Sequence, residues 1–206
     1  VTSGTTTSFA QALGIDDVTC HFRTLQQSTM TKIRHRFINH NINPKTETLV
    51  IGTFNPDTEE NIADFFYGRQ RNFLWTLIPT AFNETSLKGK TRNEKLNFIE
   101  KYRIDFIDLI SEVEVEEVAN YDDGYLDSKI SGWRDVISEI DKLTNLKRVC
   151  LTRKSFGDIP NMKTKIEEIK NHCEKKKIPF QFLTTPARFY GQAKQTEWAN
   201  FFNNDN

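Results

Sequence analysis

The sequence predicts an α/β fold, a three-layer α/β/α sandwich built around a central four-stranded parallel sheet. Two observations predict it. Four short apolar runs have the length of strands, and segments of helical period separate each run from the next. Parallel strands need long crossover connections, which are usually helices, so this alternation favours a parallel sheet with helices on both faces. A chain of 206 residues is long enough for one such domain.

The four strands are expected where apolar residues form short continuous runs. These runs are ETLVIGTF (47–54), RIDFIDLI (103–110), LKRVCLTR (146–153) and PFQFLTT (179–185). Helices are expected where apolar residues recur every three or four positions. They cover residues 72–82, residues 93–102, the set Trp133, Val136, Ile137, Ile140 and Leu143, the set Met162, Ile166, Ile169 and Cys173, and residues 193–202. The predicted order is therefore β, α, α, β, α, β, α, β, α.

The first stretch, residues 1–30, differs from the rest of the chain. It is rich in Thr and Ser and shows no sustained hydrophobic period, which is typical of a poorly ordered segment. Met30 is a candidate natural start, in which case the preceding residues are a leader without function. The predicted organisation is a leader over residues 1–30 and one domain over residues 31–206.

The charge and the cysteine content of the chain limit the kinds of function that the sequence allows. With 28 basic and 28 acidic residues the net charge is zero, so any nucleic-acid surface must be local. Three cysteines and four histidines show no metal-ligand spacing, so neither a metal nor a cofactor is expected. No apolar run reaches the roughly 18 residues of a membrane helix. We expect a soluble, cytoplasmic monomer that does not interact with a membrane.

The ends of the predicted strands indicate where a ligand binds. In open parallel sheets, ligands bind at the carboxyl ends of the strands. Four loops meet this condition, and they begin at Gly52, Leu109, Thr152 and Thr184. The chain has no phosphate-binding Walker loop and no GxGxxG, so nucleotide-triphosphate and dinucleotide chemistry lack their usual support.

The segment over residues 50–78, VIGTFNPDTEENIADFFYGRQRNFLWTLI, carries most of the functional information. Aromatic, Asn and Arg residues crowd the end of a strand where a plain turn needs only Gly, Asn or Asp. Each residue also has a purely structural interpretation. Asn55 before Pro56 suits a turn, Asn72 suits a helix cap, and Trp75 suits the core.

GTFNP, the following Tyr-Gly and RNFLW together resemble the first motif of the uracil-DNA glycosylase superfamily. The resemblance is strongest to its hypoxanthine-DNA glycosylase branch, while Asn55-Pro56 also looks like the Asn-Pro of the mismatch-specific branch. RIDFIDLI followed by YLDSKI resembles an Asp-containing strand and a Leu-Asp-Ser-x-Ile segment of that family. LTTPAR stands where the family has its second motif. The match is colinear from about Thr48 to Phe202.

The resemblance implies a monofunctional glycosylase that flips a deaminated base out of DNA and hydrolyses its glycosidic bond. It implies two catalytic residues, Asn72 and, by the mismatch-specific pattern, Asn55, which orient the attacking water. The positions it implies for the base pocket are Gly52, Thr53, Phe54, Tyr67 and Thr152. The positions it implies for DNA contacts are Arg69, Arg71, Thr184, Thr185 and Arg188, with Phe189 or Tyr190 filling the gap in the duplex.

Departures from the family keep alternatives open. Thr152-Arg153 replaces an Asn-Gly, and TTPA replaces a Ser-Pro-Ser. A non-catalytic binder of nucleic acid or nucleobases with the same fold is one alternative, and a hydrolase of free nucleosides is another. Asp57, Asp64 and Asp108 are the candidate bases if neither amide serves, although Asp57 and Asp64 lie in an acidic run typical of a solvated face.

Overall fold

The structure is a computed structural model that describes residues 30–116 and 120–203. The expected leader, apart from Met30, lies outside the described residues. The strands are β1 Thr31–Arg34, β2 Thr48–Gly52, β3 Ile104–Asp108, β4 Ile110–Val115, β5 Ile130–Trp133, β6 Arg148–Leu151 and β7 Phe180–Phe182. The helices are α1 Leu74–Ala81, α2 Arg92–Tyr102, α3 Asp123–Leu126, α4 Val136–Lys142, α5 Pro160–Lys175 and α6 Gln192–Asn203, with a 3₁₀ turn at Asp127–Lys129.

The central sheet confirms the predicted fold class. Its four strands are parallel and lie in the order β3-β2-β6-β7. Every residue of β2 and β3 is buried, as expected for strands covered on both faces. Leu49 and Ile51 pack in one hydrophobic core with α4 and α5, whereas Val50 packs in a second core with α1, α2 and α6. The sheet therefore separates two helical layers.

A second sheet was not predicted from the sequence. It has three antiparallel strands in the order β1-β4-β5 and lies on the side of the first core. The apolar run 103–110, expected to be one strand, divides after Asp108, so that β3 belongs to the parallel sheet and β4 to the antiparallel one. Backbone hydrogen bonds fix this change of direction, from Leu109 N to Gly52 O and from Ile110 N to Thr53 O, both 3.0 Å long.

The helix expected from Trp133 onward begins later than predicted. Trp133 lies in β5, and α4 begins at Val136, where the Asp135 carboxylate accepts a hydrogen bond from Ser138 N. Trp133 fits the helical spacing of the following residues, but its backbone pairs with Ile110. The other helices lie close to their expected positions. Within the described part of the chain, none of the helices combines the length and the apolar character needed to cross a membrane.

Candidate active site

A cleft of about 990 Å³ opens at the carboxyl ends of the parallel strands, where the sequence predicted a ligand site. The loops after β2, β6 and β7 contribute to its lining, together with the last residue of β3 and residues at the start of α3. Residues 53–55, after β2, and residues from the loop after β7 thus line the same cleft. The lining residues are Thr53, Phe54, Asn55, Tyr67, Arg69, Arg71, Asn72, Asp108, Tyr121, Asp122, Asp123, Thr152, Arg153, Lys154, Ser155, Asp158, Thr184, Thr185, Ala187 and Arg188.

Every expected site residue except Gly52 lines the cleft. Gly52 lies directly below it, opposite Asp108 in the sheet register. A Cβ atom at Gly52 would lie 2.1 Å from Asp108 Oδ1 and 2.5 Å from the Tyr67 hydroxyl. Glycine is therefore needed here because two polar side chains approach the backbone closely.

The two asparagines expected to be catalytic are held by hydrogen bonds that orient their amide groups. Asn61 Nδ2 donates to Pro56 O, at 2.6 Å, and to Asn55 Oδ1, at 2.5 Å. The Asn72 Oδ1 atom accepts from Leu74 N at 3.0 Å, which places Asn72 at the entry of α1. Both carbonyl oxygens are thus engaged within the protein. Each amide nitrogen remains as a hydrogen-bond donor in the cleft, because neither donates to another residue in the described ranges.

The aromatic residues expected to bind the base differ in their surroundings. Phe54 is half-buried, with its ring centroid 5.9 Å from that of His35. Tyr67 has a φ of 56°, an uncommon conformation for a bulky residue, and its hydroxyl lies 3.3 Å from Thr152 Oγ1. Burial and the negative charge of Asp108 raise the pKa of Tyr67 well above its ordinary value. Tyr67 therefore remains a neutral phenol that can donate a hydrogen bond.

The rim of the cleft carries the three expected arginines. Arg69 lies over the Tyr121 ring, 5.7 Å from its centroid, and partial burial lowers the pKa of this guanidinium. Arg71 and Arg188 are exposed, and Arg188 N donates to Arg71 O at 2.9 Å. This hydrogen bond joins the loop before α1 to the loop after β7. Both cations therefore project from one continuous rim.

The two threonines expected to contact DNA are engaged within their own loop and its neighbouring helix. Thr184 Oγ1 donates to Glu197 Oε2 of α6 at 2.6 Å, and Thr184 N donates to the other oxygen of the same carboxylate. Thr185 Oγ1 accepts from Ala187 N at 3.3 Å. These contacts shape the loop that presents Arg188.

An ionic cluster in the cleft was not recognised from the sequence. Arg153, at the position of the family's Asn-Gly, donates to Asp123 at 2.6 Å and to both oxygens of Asp158 at 2.6 and 2.7 Å. Burial raises the pKa of Asp123, although hydrogen bonds from Thr53 and Arg153 oppose that shift. Arg153 and Asp158 follow β6 and Asp123 begins α3, so the cluster ties two loops together.

Asp108, one of the alternative bases expected from the sequence, pairs with His35, which was not assigned a role from the sequence. His35 Nε2 and Asp108 Oδ2 are 2.7 Å apart, and both side chains are almost fully buried. The alternative bases Asp57 and Asp64 do not line the cleft; they pair with Arg36 and Lys95. Across the described ranges, no three metal-ligating side chains come together.

Comparison with known proteins supports the fold. No protein-family model matches the chain, and no curated protein matches it. The chain is similar to a solution NMR structure from Methanosarcina acetivorans provisionally assigned as a uracil DNA glycosylase. The TM-score is 0.56 at 20% sequence identity, over 78% of this chain and 91% of that one. The class that this similarity defines is structural, an α/β/α domain with the fold of that protein.

Proposed function

We propose that this protein is a monofunctional DNA glycosylase that flips a deaminated base, uracil or hypoxanthine, out of DNA and hydrolyses its glycosidic bond. The observation that carries the proposal is the composition of one cleft. Asn55 and Asn72 reach it from two segments, Phe54 and Tyr67 supply aromatic walls, and cations lie on its rim. A site for a flipped nucleotide needs these three features together.

The proposed reaction gives a separate role to each part of the cleft lining. Cleavage of the glycosidic bond leaves positive charge on the sugar and negative charge on the departing base, while water attacks the anomeric carbon. The amide nitrogens of Asn55 and Asn72 would hold the water through its oxygen, so positioning supplies much of the rate. Tyr67 and Thr152 would offer hydroxyl groups to the polar edge of the base, and Phe54 would stack on its face.

The rim would hold the DNA on both sides of the flipped nucleotide. Arg69, Arg71 and Arg188, which line the cleft, would contact backbone phosphates. Phe189 and Tyr190, next in the same loop, are 62% and 43% exposed, so both rings are accessible from solvent. One of these rings would fill the gap in the duplex. We also propose a role in DNA repair and a monomeric state.

Incubation with labelled oligonucleotides containing uracil, hypoxanthine or xanthine, followed by alkali, tests the proposal. Alkali cleaves abasic sites, so a glycosylase yields a strand break at the position of the excised base. Cleavage at uracil or hypoxanthine supports the proposal and identifies the base. Intact strands for all three bases would contradict it.

A second candidate is a non-catalytic protein that binds nucleic acid or a nucleobase in the same cleft. The ionic cluster of Arg153 with Asp123 and Asp158 favours it, because these groups occupy part of the wall where the family has Asn-Gly. Binding of DNA without release of any base would support this function over the first.

A further inference from the structure

The cleft needs a proton acceptor that the two asparagines do not supply. Neutral amides are not bases near neutral pH, and the Asn55 and Asn72 carbonyl oxygens already accept hydrogen bonds from Asn61 and Leu74. Both residues therefore face the cleft as donors. A water molecule that attacks the sugar must still lose a proton to some other group.

Asp108 lies at the base of the cleft at the end of β3. Its side chain is 7% exposed, and it contributes to the cleft lining. Its position opposite Gly52 brings it beside the segment that carries Asn55. The Asp108 carboxylate is thus largely shielded from solvent, in a cleft that Asn55 and Asn72 also line.

His35 fixes the orientation of the Asp108 carboxylate. The His35 Nδ1 atom accepts a hydrogen bond from Phe37 N at 3.1 Å, so this nitrogen carries no proton. The proton of the neutral ring is then on Nε2, which donates to Asp108 Oδ2 at 2.7 Å. The imidazole is fully buried, and its backbone is held by a hydrogen bond from His35 N to Ser111 O.

The second oxygen of the carboxylate, Oδ1, differs from the first in its hydrogen bonding. Within the part of the chain that the structure describes, no group donates a hydrogen bond to Asp108 Oδ1. This oxygen faces Gly52, where a Cβ would lie only 2.1 Å away. The missing side chain at Gly52 thus provides the space that Oδ1 occupies.

We propose that Asp108 is the general base of the hydrolysis and that His35 is its positioning residue. This inference rests on the proposed glycosylase function. Asp108 Oδ1 accepts a proton from the attacking water while the water oxygen bonds to the anomeric carbon. The bond from that carbon to the base nitrogen breaks, and its electron pair leaves with the base. The Asp108 proton then passes to the departed base or to solvent.

Several titratable and charged groups face Asp108. They are His35, which directly follows β1, Tyr67 and Arg69 from the loop before α1, and Arg134 after β5; the Asp108 charge acts on the pKa of the last three. Near neutral pH the arginines stay charged and Tyr67 stays neutral, so none of these three groups takes the proton of the attacking water.

The test is single-turnover base release with enzyme in excess, measured for the wild type and Asp108→Asn. The variant is expected to be slower by a hundredfold or more. Its affinity for the DNA should stay within about threefold of the wild-type value, because the substitution removes an interaction that stabilises only the transition state. In His35→Gln, which keeps an N–H donor, we expect a smaller loss than in His35→Phe.

Asp105 provides a matched control on the same strand. It is also buried and paired with a histidine, His40, at 2.7 Å, but it lies outside the cleft lining. Its oxygens accept further hydrogen bonds from Asn43 N and Phe106 N. Asp105→Asn should lower the melting temperature yet retain the wild-type rate of base release.

Three outcomes test the role of Asp108 separately from the proposed glycosylase function. A folded Asp108→Asn that keeps the wild-type rate overturns this inference alone. If Asp108→Asn does not fold, a folded His35→Phe that keeps the wild-type rate overturns it. A wild type that releases no base from any oligonucleotide overturns the proposed function together with this inference.

Discussion

At the scale of single residues, Asn72 combines a structural contact with its proposed catalytic one. Its carbonyl oxygen accepts from Leu74 N at the start of α1, while its amide nitrogen remains for the cleft. We expect Asn72→Ala to slow single-turnover excision about a hundredfold, roughly 2.7 kcal/mol of barrier, with little change in DNA affinity. Asn55→Ala should act in the same direction.

Loss of the helix-entry hydrogen bond should also cost Asn72→Ala about 1 kcal/mol of stability. Thermal melting separates this effect from the loss of rate. Asn93→Ala, at an exposed position of α2, is the matched control and should change neither quantity. If both cleft asparagine variants keep the full rate, the amides have no role in the reaction.

Arg188 belongs to the rim and should act on binding alone. It is exposed, has a φ of 76°, and is placed by a backbone bond to Arg71. Arg188→Ala is expected to weaken DNA binding and to reduce the salt dependence by about one phosphate contact. Affinity at two salt concentrations measures this, with Lys163→Ala on the exposed side of α5 as control. An unchanged salt dependence would remove Arg188 from the interface.

Tyr67 should titrate outside the ordinary tyrosine range. Burial and the Asp108 charge raise its pKa in the folded state, so the folded protein holds this proton more tightly than the unfolded chain. The stability from this residue is therefore complete below the unfolded pKa of about 10 and is lost as pH rises above it. Ultraviolet titration of the wild type, compared with that of Tyr67→Phe, measures the pKa of Tyr67. An ordinary Tyr67 pKa would contradict the burial of its hydroxyl.

The sequence predicted most residues of the cleft but not how they pair. The Gly-Thr-Phe-Asn-Pro segment and the arginines were found because they follow strands or match a motif. Tyr121 was missed because it lies in a loop without a motif, yet its buried hydroxyl, which lines the cleft, has no partner among the residues the structure describes. The contact between Asp108 and His35 joins positions 73 apart in sequence, which no local pattern reveals.

At the scale of elements, the sequence predicted the parallel sheet well and the antiparallel sheet not at all. Strands β2 and β3 are continuous buried runs, a strong signal. Strand β1 has one buried residue in four, and β5 contains Ser131 and Gly132, so neither shows a clear alternation. The bend after Asp108 lies inside an unbroken apolar run, because Leu109 and Ile110 are also buried.

At the same scale, Asp127 of the Leu-Asp-Ser segment connects the 3₁₀ turn to the start of α5. Its two carboxylate oxygens accept from Asn161 N and Met162 N, at 2.9 and 2.7 Å, at the start of α5. Asp127→Ala should destabilise the fold by about 2 to 3 kcal/mol, because buried backbone donors lose a charged acceptor. Urea denaturation measures this loss.

The exposed capping box of α2 supplies the comparison for Asp127. Thr91→Ala removes the side-chain oxygen that accepts from Glu94 N and should cost only about 1 kcal/mol. Equal losses for the two variants would mean that the buried Asp127 contact contributes no more than an exposed cap.

At the scale of the whole molecule, zero net charge and a DNA substrate are compatible because the cations are local. Arg69, Arg71, Lys154 and Arg188 all line the same cleft, although Lys154 also pairs with Glu197. Four aspartates also line the cleft, of which Asp123 and Asp158 pair with Arg153, in a chain of 28 basic and 28 acidic residues. Attraction to DNA is therefore expected close to the cleft, with little long-range steering.

The most direct test of the proposed glycosylase is release of free base under single-turnover conditions. Excess protein is mixed with a duplex that contains one uracil or one hypoxanthine, and with the same duplex carrying a normal base. The account predicts release from a damaged duplex, none from the normal one, and a strong loss of rate in Asn72→Ala. No release from either damaged duplex, with DNA still bound equally well, would contradict it.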